Sequence, residues 1–488
     1  MDDAQEIAGW VEQHRAELIC VAETLWENPE VAWEEYASAE TQARFLEDWG
    51  FTVMRNAAGI TTAFVAEWGA GNPVFGFLGE YDALPGLSQS RNPWPDPVRA
   101  GGPGHGCGHN LLGTGCLAAA LATRAWCERH GITATIRYYG CPAEERISGK
   151  TFMVRSGLFD DLDAAFTYHP DALNMPGTGT SVGVKDITFR FAGTASHAGG
   201  APEKGRSALD AVELMNVGVN YLREHVPEKV RIHYAITKGG DAPNVVPAEA
   251  EVWYFIRALE PDVHDSVTDR VRRIARGAAL MTETEVSERF NGACSSMRNN
   301  RRLAALHYDV MQSIGPIDHT RTELDLAGAI NSRYPSEHAA ALFEGFRIPP
   351  ELKESIAEAK RHPLVSLNFP SMDAEVIGTG STDVGDVSRI APLCMLRTAC
   401  FPTGAAGHSW GIVAASGSSI GHKGMLHAGK IMAGAAAALL RDPELLKEVR
   451  REFDEAAAKE PYVCPLRDDL EPPGRPVTAS ASAGGRTT

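Results

Sequence analysis

The strongest constraint on the fold is a change of hydrophobic rhythm in the middle of the chain. Ile187, Phe189 and Phe191 alternate with polar residues, as in a half-buried strand. Residues 207–225 then place Ala208, Val212, Met215, Val219 and Leu222 on one helical face, and Ser207 with Asp210 fits a capping box at its start. Val230, Ile232, Tyr234 and Ile236 alternate again, as do Val252, Tyr254 and Ile256. Residues 264–281 read as a second helix and residues 284–290 as a fourth strand. The order βαββαβ predicts a ferredoxin-like unit, one antiparallel sheet with two helices on one face. The flanks follow a different rhythm. Residues 7–27 and 33–48 read as helices, 74–78 as a buried strand, 110–130 as an Ala- and Leu-rich helix and 133–139 as another strand. Residues 391–440 return to strand, Gly-rich loop and an Ala-rich helix over 424–440, while Pro-interrupted residues 318–375 show no clear pattern. Strands alternating with helices predict an α/β unit with a mostly parallel sheet. The expected organisation is a catalytic unit formed by residues 1–183 and 294–465, with a lid or dimerisation unit inserted at 184–293 and a Pro-, Gly- and Ser-rich disordered tail at 466–488.

Composition narrows the function. A length of 488 residues suggests two or three domains, and a net charge of −17 argues against a nucleic-acid binder and against an anionic membrane surface. No run of about 18 apolar residues predicts a membrane span, and the first residues lack the basic start and apolar stretch of a secretion signal. Nine cysteines, an odd and scattered set, fit a reducing cytoplasm better than a disulfide framework.

Four short motifs carry potential chemistry. Cys107 and His109 stand two apart in a Gly-rich loop, donors that suit a borderline metal such as zinc; the competing reading is a turn whose histidine only satisfies backbone groups. Glu144 and Glu145 follow the strand at 133–139, where active sites of open α/β sheets lie, although an acidic pair also suits the start of a helix. His169 follows an apolar stretch, and His408 sits in the loop before the last helix; each alone is as well explained as a structural histidine. Together they supply the handful of N, O and S ligands needed by two ions about 3.5–4 Å apart.

The stretches ENPEVAWEE, EYDALPGL, GHGCGHNLLGTG, CPAEE, YHP, ASHAGGAPEKGRSALDA, APNVVPAEAEVW, STDVGDVS and PTGAAGHSWGIVAASGSSIGHKGM, in this order, resemble the family of di-metal aminoacylases and carboxypeptidases, in its cysteine-containing branch, that of the p-aminobenzoyl-glutamate hydrolases. The resemblance runs from about residue 7 to residue 440. It implies an α/β metallohydrolase domain with an inserted ferredoxin-like lid, a homodimer through that lid, and a second hydrolase subunit as a further partner. It implies that Cys107, His109, Glu145, His169 and His408 hold two divalent ions, zinc or manganese with cobalt as a third choice. Glu144 then activates a metal-bridged water, His197 stabilises the oxyanion, often from the partner subunit, and Asn244 and Arg257 bind substrate. Without the resemblance these last three read as a loop histidine, a turn asparagine and a solvent-facing arginine. The implied reaction is hydrolysis of an amide bond in an N-acyl or N-aroyl amino acid. Dipeptide or N-carbamoyl hydrolysis at the same metal site, and a non-catalytic binding protein on this fold, are the alternatives. One departure stands out: many relatives have a metal-binding histidine where this chain has Glu80, which leaves Asp82 to orient a histidine. His105, His422, Asp383 and Asp386 lie beside the motifs without an assigned role.

Overall fold

A computed structural model describes residues 3–177, 179–373 and 380–473. It contains two sheets. The strands are β1 (Thr52–Arg55), β2 (Phe64–Gly69), β3 (Val74–Glu80), β4 (Thr135–Cys141), β5 (Ala164–Asp171), β6 (Met175–Pro176), β7 (Gly183–Ala192), β8 (Arg231–Lys238), β9 (Glu249–Ala258), β10 (Glu285–Cys294) and β11 (Leu393–Ala399). The larger sheet has the order β1-β2-β4-β3-β5-β11-β6. Its four central strands, β4, β3, β5 and β11, are mutually parallel, and the edges β1, β2 and β6 are antiparallel. Every residue of β3 is buried, as expected for a parallel strand covered on both faces. The cover on one face is the helix His109–His130, against which the helix Ser419–Arg441 packs. Small residues let them approach: a Cβ at Gly429 would lie 3.0 Å from that of Ala118.

The smaller sheet has the order β10-β7-β9-β8, all antiparallel. With the helices Ala208–Leu222 and Pro261–Thr282 it is the βαββαβ unit read from the sequence. Ile187, Phe189, Phe191, Val252, Tyr254 and Ile256 turn one face of it to those helices and join the same core as Val212, Met215, Val219, Val267 and Val271. Each such fully buried side chain contributes roughly 1.5–3 kcal/mol. Trp253, Phe255 and Arg257 alternate with them and lie half-buried on the opposite face.

Local departures have local causes. The helix expected over 7–27 divides into Asp3–Gln13 and Arg15–Glu27. The second helix begins at Tyr36 and not at residue 33, because Trp33 has a left-handed backbone (φ 72°). The cap at Ser207 is half of a box: its hydroxyl oxygen accepts the Asp210 N–H, but the Asp210 carboxylate accepts from that hydroxyl and not from the backbone. A complete box occurs at Thr320 and Glu323, which starts the helix Arg321–Asn331 in the stretch that showed no pattern. The helix expected over 424–440 begins five residues earlier, at Ser419, and a further helix, Pro443–Lys459, follows it. The expected disorder from residue 466 is corrected at its start: Leu466 is buried, and Arg155 donates to the carbonyls of Arg467 and Leu470. Residues 474–488 of that stretch lie outside the described residues. Among the described residues no helix is long and apolar enough to cross a membrane, and all nine cysteines are unpaired.

Candidate metal centre

Three parallel strands deliver the chemistry at their carboxyl ends, the position at which open α/β sheets build sites. β3 ends in Glu80 and leads to Asp82, β4 ends in Cys141 and leads to Glu144 and Glu145, and β5 carries His169. The Gly-rich loop supplies Cys107, and His109 opens the helix behind it. Gly108 between them has φ 77°, a conformation that glycine adopts without penalty and that lets both side chains face one point. Glu144 and Glu145 sit on a single 3-10 turn, Glu144–Arg146, between two left-handed residues, Ala143 (φ 58°) and Ile147 (φ 48°). His408 is left-handed as well (φ 52°), and its N–H donates to the Gly106 carbonyl at 3.1 Å. Each such non-glycine residue costs of order 1 kcal/mol or more, and strain of this kind gathers where a site must be held in one shape.

All five residues expected to hold metal converge. Ligand atoms of Cys107, His109 and His169 lie within 4.8 Å of one another, and so do those of Cys107, Glu145 and His408. The thiol belongs to both groups. Cys107 Sγ is 3.3 Å from His169 Nε2, and His408 Nε2 is 3.7 Å from Glu145 Oε1. The ring orientations suit coordination. Asp82 Oδ1 accepts from His109 Nδ1 at 2.9 Å, and the Pro170 carbonyl accepts from His169 Nδ1 at 2.7 Å, so each Nε2 presents its lone pair. Asp82 Oδ2 also accepts the Glu145 N–H at 2.9 Å, which ties the acidic turn to the same support. Glu35 performs a similar task one layer back, accepting from the Ala143 N–H and the Thr62 hydroxyl.

These residues fit divalent cations. His109 Nε2 and Glu145 Oε1 are buried and have no hydrogen-bond partner, an uncommon state that a ligand relieves. Burial pushes the Cys107 thiol up to about 12 and Glu145 up to about 7. Glu144 is held well above the usual carboxylate range by burial and then by Glu80 and Glu145. Burial pushes Glu35 up to about 8, with Asp82 adding to it. Such a gathering of acids and a thiol suits positive charge.

The other expected residues lie elsewhere. His197 is exposed on the loop after β7, where its Nδ1 accepts the N–H groups of Gly199 and Gly200, leaving Nε2 as a donor. Asn244 is exposed beside it, and its carbonyl accepts the Ala198 N–H at 3.0 Å. Among the described residues no hydrogen bond or ion pair given by the structure joins either to the five donors. Arg257, on β9, donates to Ser381 Oγ at 2.8 Å and lies over the Phe255 ring. His105 turns its Nε2 to the Leu25 carbonyl at 3.1 Å, which gives it a structural role. His422 is buried with no hydrogen-bond partner at Nε2 and belongs to neither group of donors. Asp386 accepts from Thr151, Ser295 and Tyr462, a structural joint. Lys150, with its partners Glu80 and Asp383, and Glu35 are the site residues that sequence reasoning left without a role; Glu35, Glu80 and Asp383 stand in quoted stretches, and Lys150 stands in none.

Comparison with known proteins agrees with this geometry. Residues 180–282 match the peptidase dimerisation domain of the M20 family. The chain is 44% identical over 467 residues to one of the subunits of p-aminobenzoyl-glutamate hydrolase of Escherichia coli (strain K12), covering 95% of this chain and 97% of that protein. It is 28% identical over 464 residues to the Xaa-Arg dipeptidase of Mus musculus, covering 91% and 90%. A dinuclear metal-binding peptidase of the M20 family from Bacillus subtilis shares the fold, with a TM-score of 0.55 and 16% identity over 88% of this chain and 99% of that one. The chain belongs to the M20 peptidase family and is an amide-bond hydrolase.

Proposed function

We propose that this protein hydrolyses the amide bond of an N-acyl or N-aroyl amino acid, an aminobenzoyl-glutamate-like compound, with two divalent ions. The observation that carries this reading is the pair of three-residue donor groups sharing Cys107, with His109 Nε2 and Glu145 Oε1 buried and without a hydrogen-bond partner. Cys107, His109 and His169 would hold one ion, and Cys107, Glu145 and His408 the other. Thiolate and imidazole favour zinc, with manganese or cobalt as alternatives. When bound, such ions supply Lewis acidity and lower the pKa of water.

The chain's own groups do the rest. Glu144 Oε2 lies 4.0 Å from His109 Nε2, at the edge of the donor set. It takes a proton from the attacking water and passes it to the nitrogen of the leaving amine. His197 donates from Nε2 to the oxyanion, and Asn244 binds the substrate beside it. Arg257 receives the carboxylate of the amino acid through charge-assisted hydrogen bonds. His197 and Asn244 are exposed, so they act when the lid closes or when a second copy brings them in. A homodimer through the lid unit is supported by exposed Leu214, Val217 and Tyr221 on the helix Ala208–Leu222, and by Tyr234 and Ile236 on the edge strand β8. In this reading residues 1–183 and 294–465 form the catalytic unit and 184–293 the lid.

The test is metal content together with hydrolysis of a panel of N-acyl and N-aroyl amino acids after addition of zinc, manganese or cobalt. Two ions per chain and metal-dependent release of amino acid are expected; no metal and no turnover, with or without a second hydrolase chain, sink the reading. The methyl ester of a good substrate should lose kcat/KM, and an unchanged value removes Arg257 from its role. A dipeptidase reading is favoured by the match along most of the Xaa-Arg dipeptidase. Dipeptides with C-terminal arginine belong in the same panel, and a preference for them decides for it.

A further inference from the structure

Glu80 has a place in the centre that neither the five donors nor Glu144 accounts for. Its carboxylate is buried, and its two oxygens face opposite ways. Oε1 lies 2.7 Å from Lys150 Nζ, and Oε2 lies 3.4 Å from His109 Nε2, the buried nitrogen without a hydrogen-bond partner. Glu80, His109 and Glu144 each offer a ligand atom within 4.8 Å of the other two. Behind Glu80, Lys150 is wholly buried and clamped. Its Nζ is 2.5 Å from Asp383 Oδ1, and its backbone N–H donates to Asp383 Oδ2 at 2.7 Å. The backbone there admits little movement, since a Cβ on Gly149 would collide with the Pro142 carbonyl oxygen.

A carboxylate can give a cation one oxygen or both. With Oε1 committed to Lys150, Glu80 has only Oε2 to offer, on the side of His109. A buried ammonium is costly unless it is paired and hydrogen-bonded; this one satisfies two carboxylates at once, and it offsets the charge that Glu80 adds to a site already rich in acids. We propose that Glu80 is a further metal donor on the His109 side, presenting a single oxygen, and that Lys150, held by Asp383, is the residue that positions it. This rests on the two-ion reading of the site.

The test titrates metal-stripped, full-length protein with zinc against a competing chelator, with circular dichroism of each apoprotein to verify the fold. Wild type should take two ions. Glu80→Gln should weaken one of them by about 10- to 100-fold and leave the other unchanged. Lys150→Met should show the same selective loss. Two ions at wild-type affinity in Glu80→Gln overturn the assignment of Glu80. Selective loss in Glu80→Gln with none in Lys150→Met keeps the donor and overturns the positioning role. Should Lys150→Met not fold, Asp383→Asn carries that arm, with the same selective loss expected and unchanged binding overturning it. A wild type that binds no zinc, manganese or cobalt overturns the two-ion reading and this inference with it.

Discussion

The metal-facing pocket and the lid are built to opposite rules. The pocket is cross-tied: His109 is buried, Cys107, His169 and Glu145 are half-buried, and His408 alone of the five donors is exposed. One carboxylate, Asp82, holds both His109 and the backbone of Glu145; another, Glu35, holds Ala143. Two of the three lid residues expected to meet substrate are exposed: His197 accepts from Gly199 and Gly200 of its own loop, Asn244 accepts from Ala198 of that same loop, and both stand apart from the donor set, while half-buried Arg257 donates to Ser381. The difference separates two demands. Ligands must be in place before a metal arrives, so the fold holds them at the cost of strained and desolvated groups. Groups that act on substrate need only arrive with it, so they sit on a surface that can move or be supplied by another copy.

That comparison can be broken in order of effect. Glu144→Ala should lower kcat by about 10²–10⁴-fold while both ions stay bound, since it removes a proton carrier and not a ligand; loss of metal would move Glu144 into the ligand set. His197→Ala should cost about 10²–10³-fold in kcat, as for a lost oxyanion donor, with stability changed by no more than about 0.5 kcal/mol because the side chain is exposed. A large drop in melting temperature or in metal content would contradict the division between pocket and lid. Asp82→Asn should weaken metal binding by about 10- to 100-fold through the misplaced His109 ring, with kcat restored at saturating metal. Loss of kcat that excess metal does not restore would give Asp82 a direct part in the chemistry.

The smallest effect concerns the packing around the helix Ser419–Arg441. Burial pushes the Glu323 carboxyl upward, but hydrogen bonds from Lys423, Ser419 and the Thr320 N–H outweigh it and hold the group at about 2, below its ordinary 4.5. A depressed carboxylate adds stability that is complete above its unfolded pKa and is lost as pH falls towards the folded one. Wild type should therefore be more stable to urea than Glu323→Gln at pH 6, and the gap should close as pH falls from about 4.5 towards 2. A gap independent of pH would assign the effect to the hydrogen bonds of the capping box alone.

Much of the site was readable before any coordinates. Cys107 and His109 share one Gly-rich loop, and Glu144 and Glu145 one turn after a strand, so local spacing marks them as candidates and the resemblance supplies their roles. Asp82 as the support of a histidine followed from the resemblance, through the stretch EYDALPGL. The Lys150–Asp383 pair did not, because its members are 233 residues apart and Lys150 stands in no telling pattern. His105 shows the reverse case: it stands inside the metal motif and still points away, to the Leu25 carbonyl.

By itself the sequence determined the order of elements in the inserted unit, because period-2 and period-3.6 patterns are local consequences of how strands and helices bury one face. It also determined which donor types were present, since their chemistry belongs to the side chains. The tertiary structure alone decided that one thiol serves two groups of donors, that Glu80 splits its oxygens between Lys150 and His109, and that His197 stands outside. Those facts depend on where separate strands end beside one another and on which charges must be paired once water is excluded, and no local pattern encodes either.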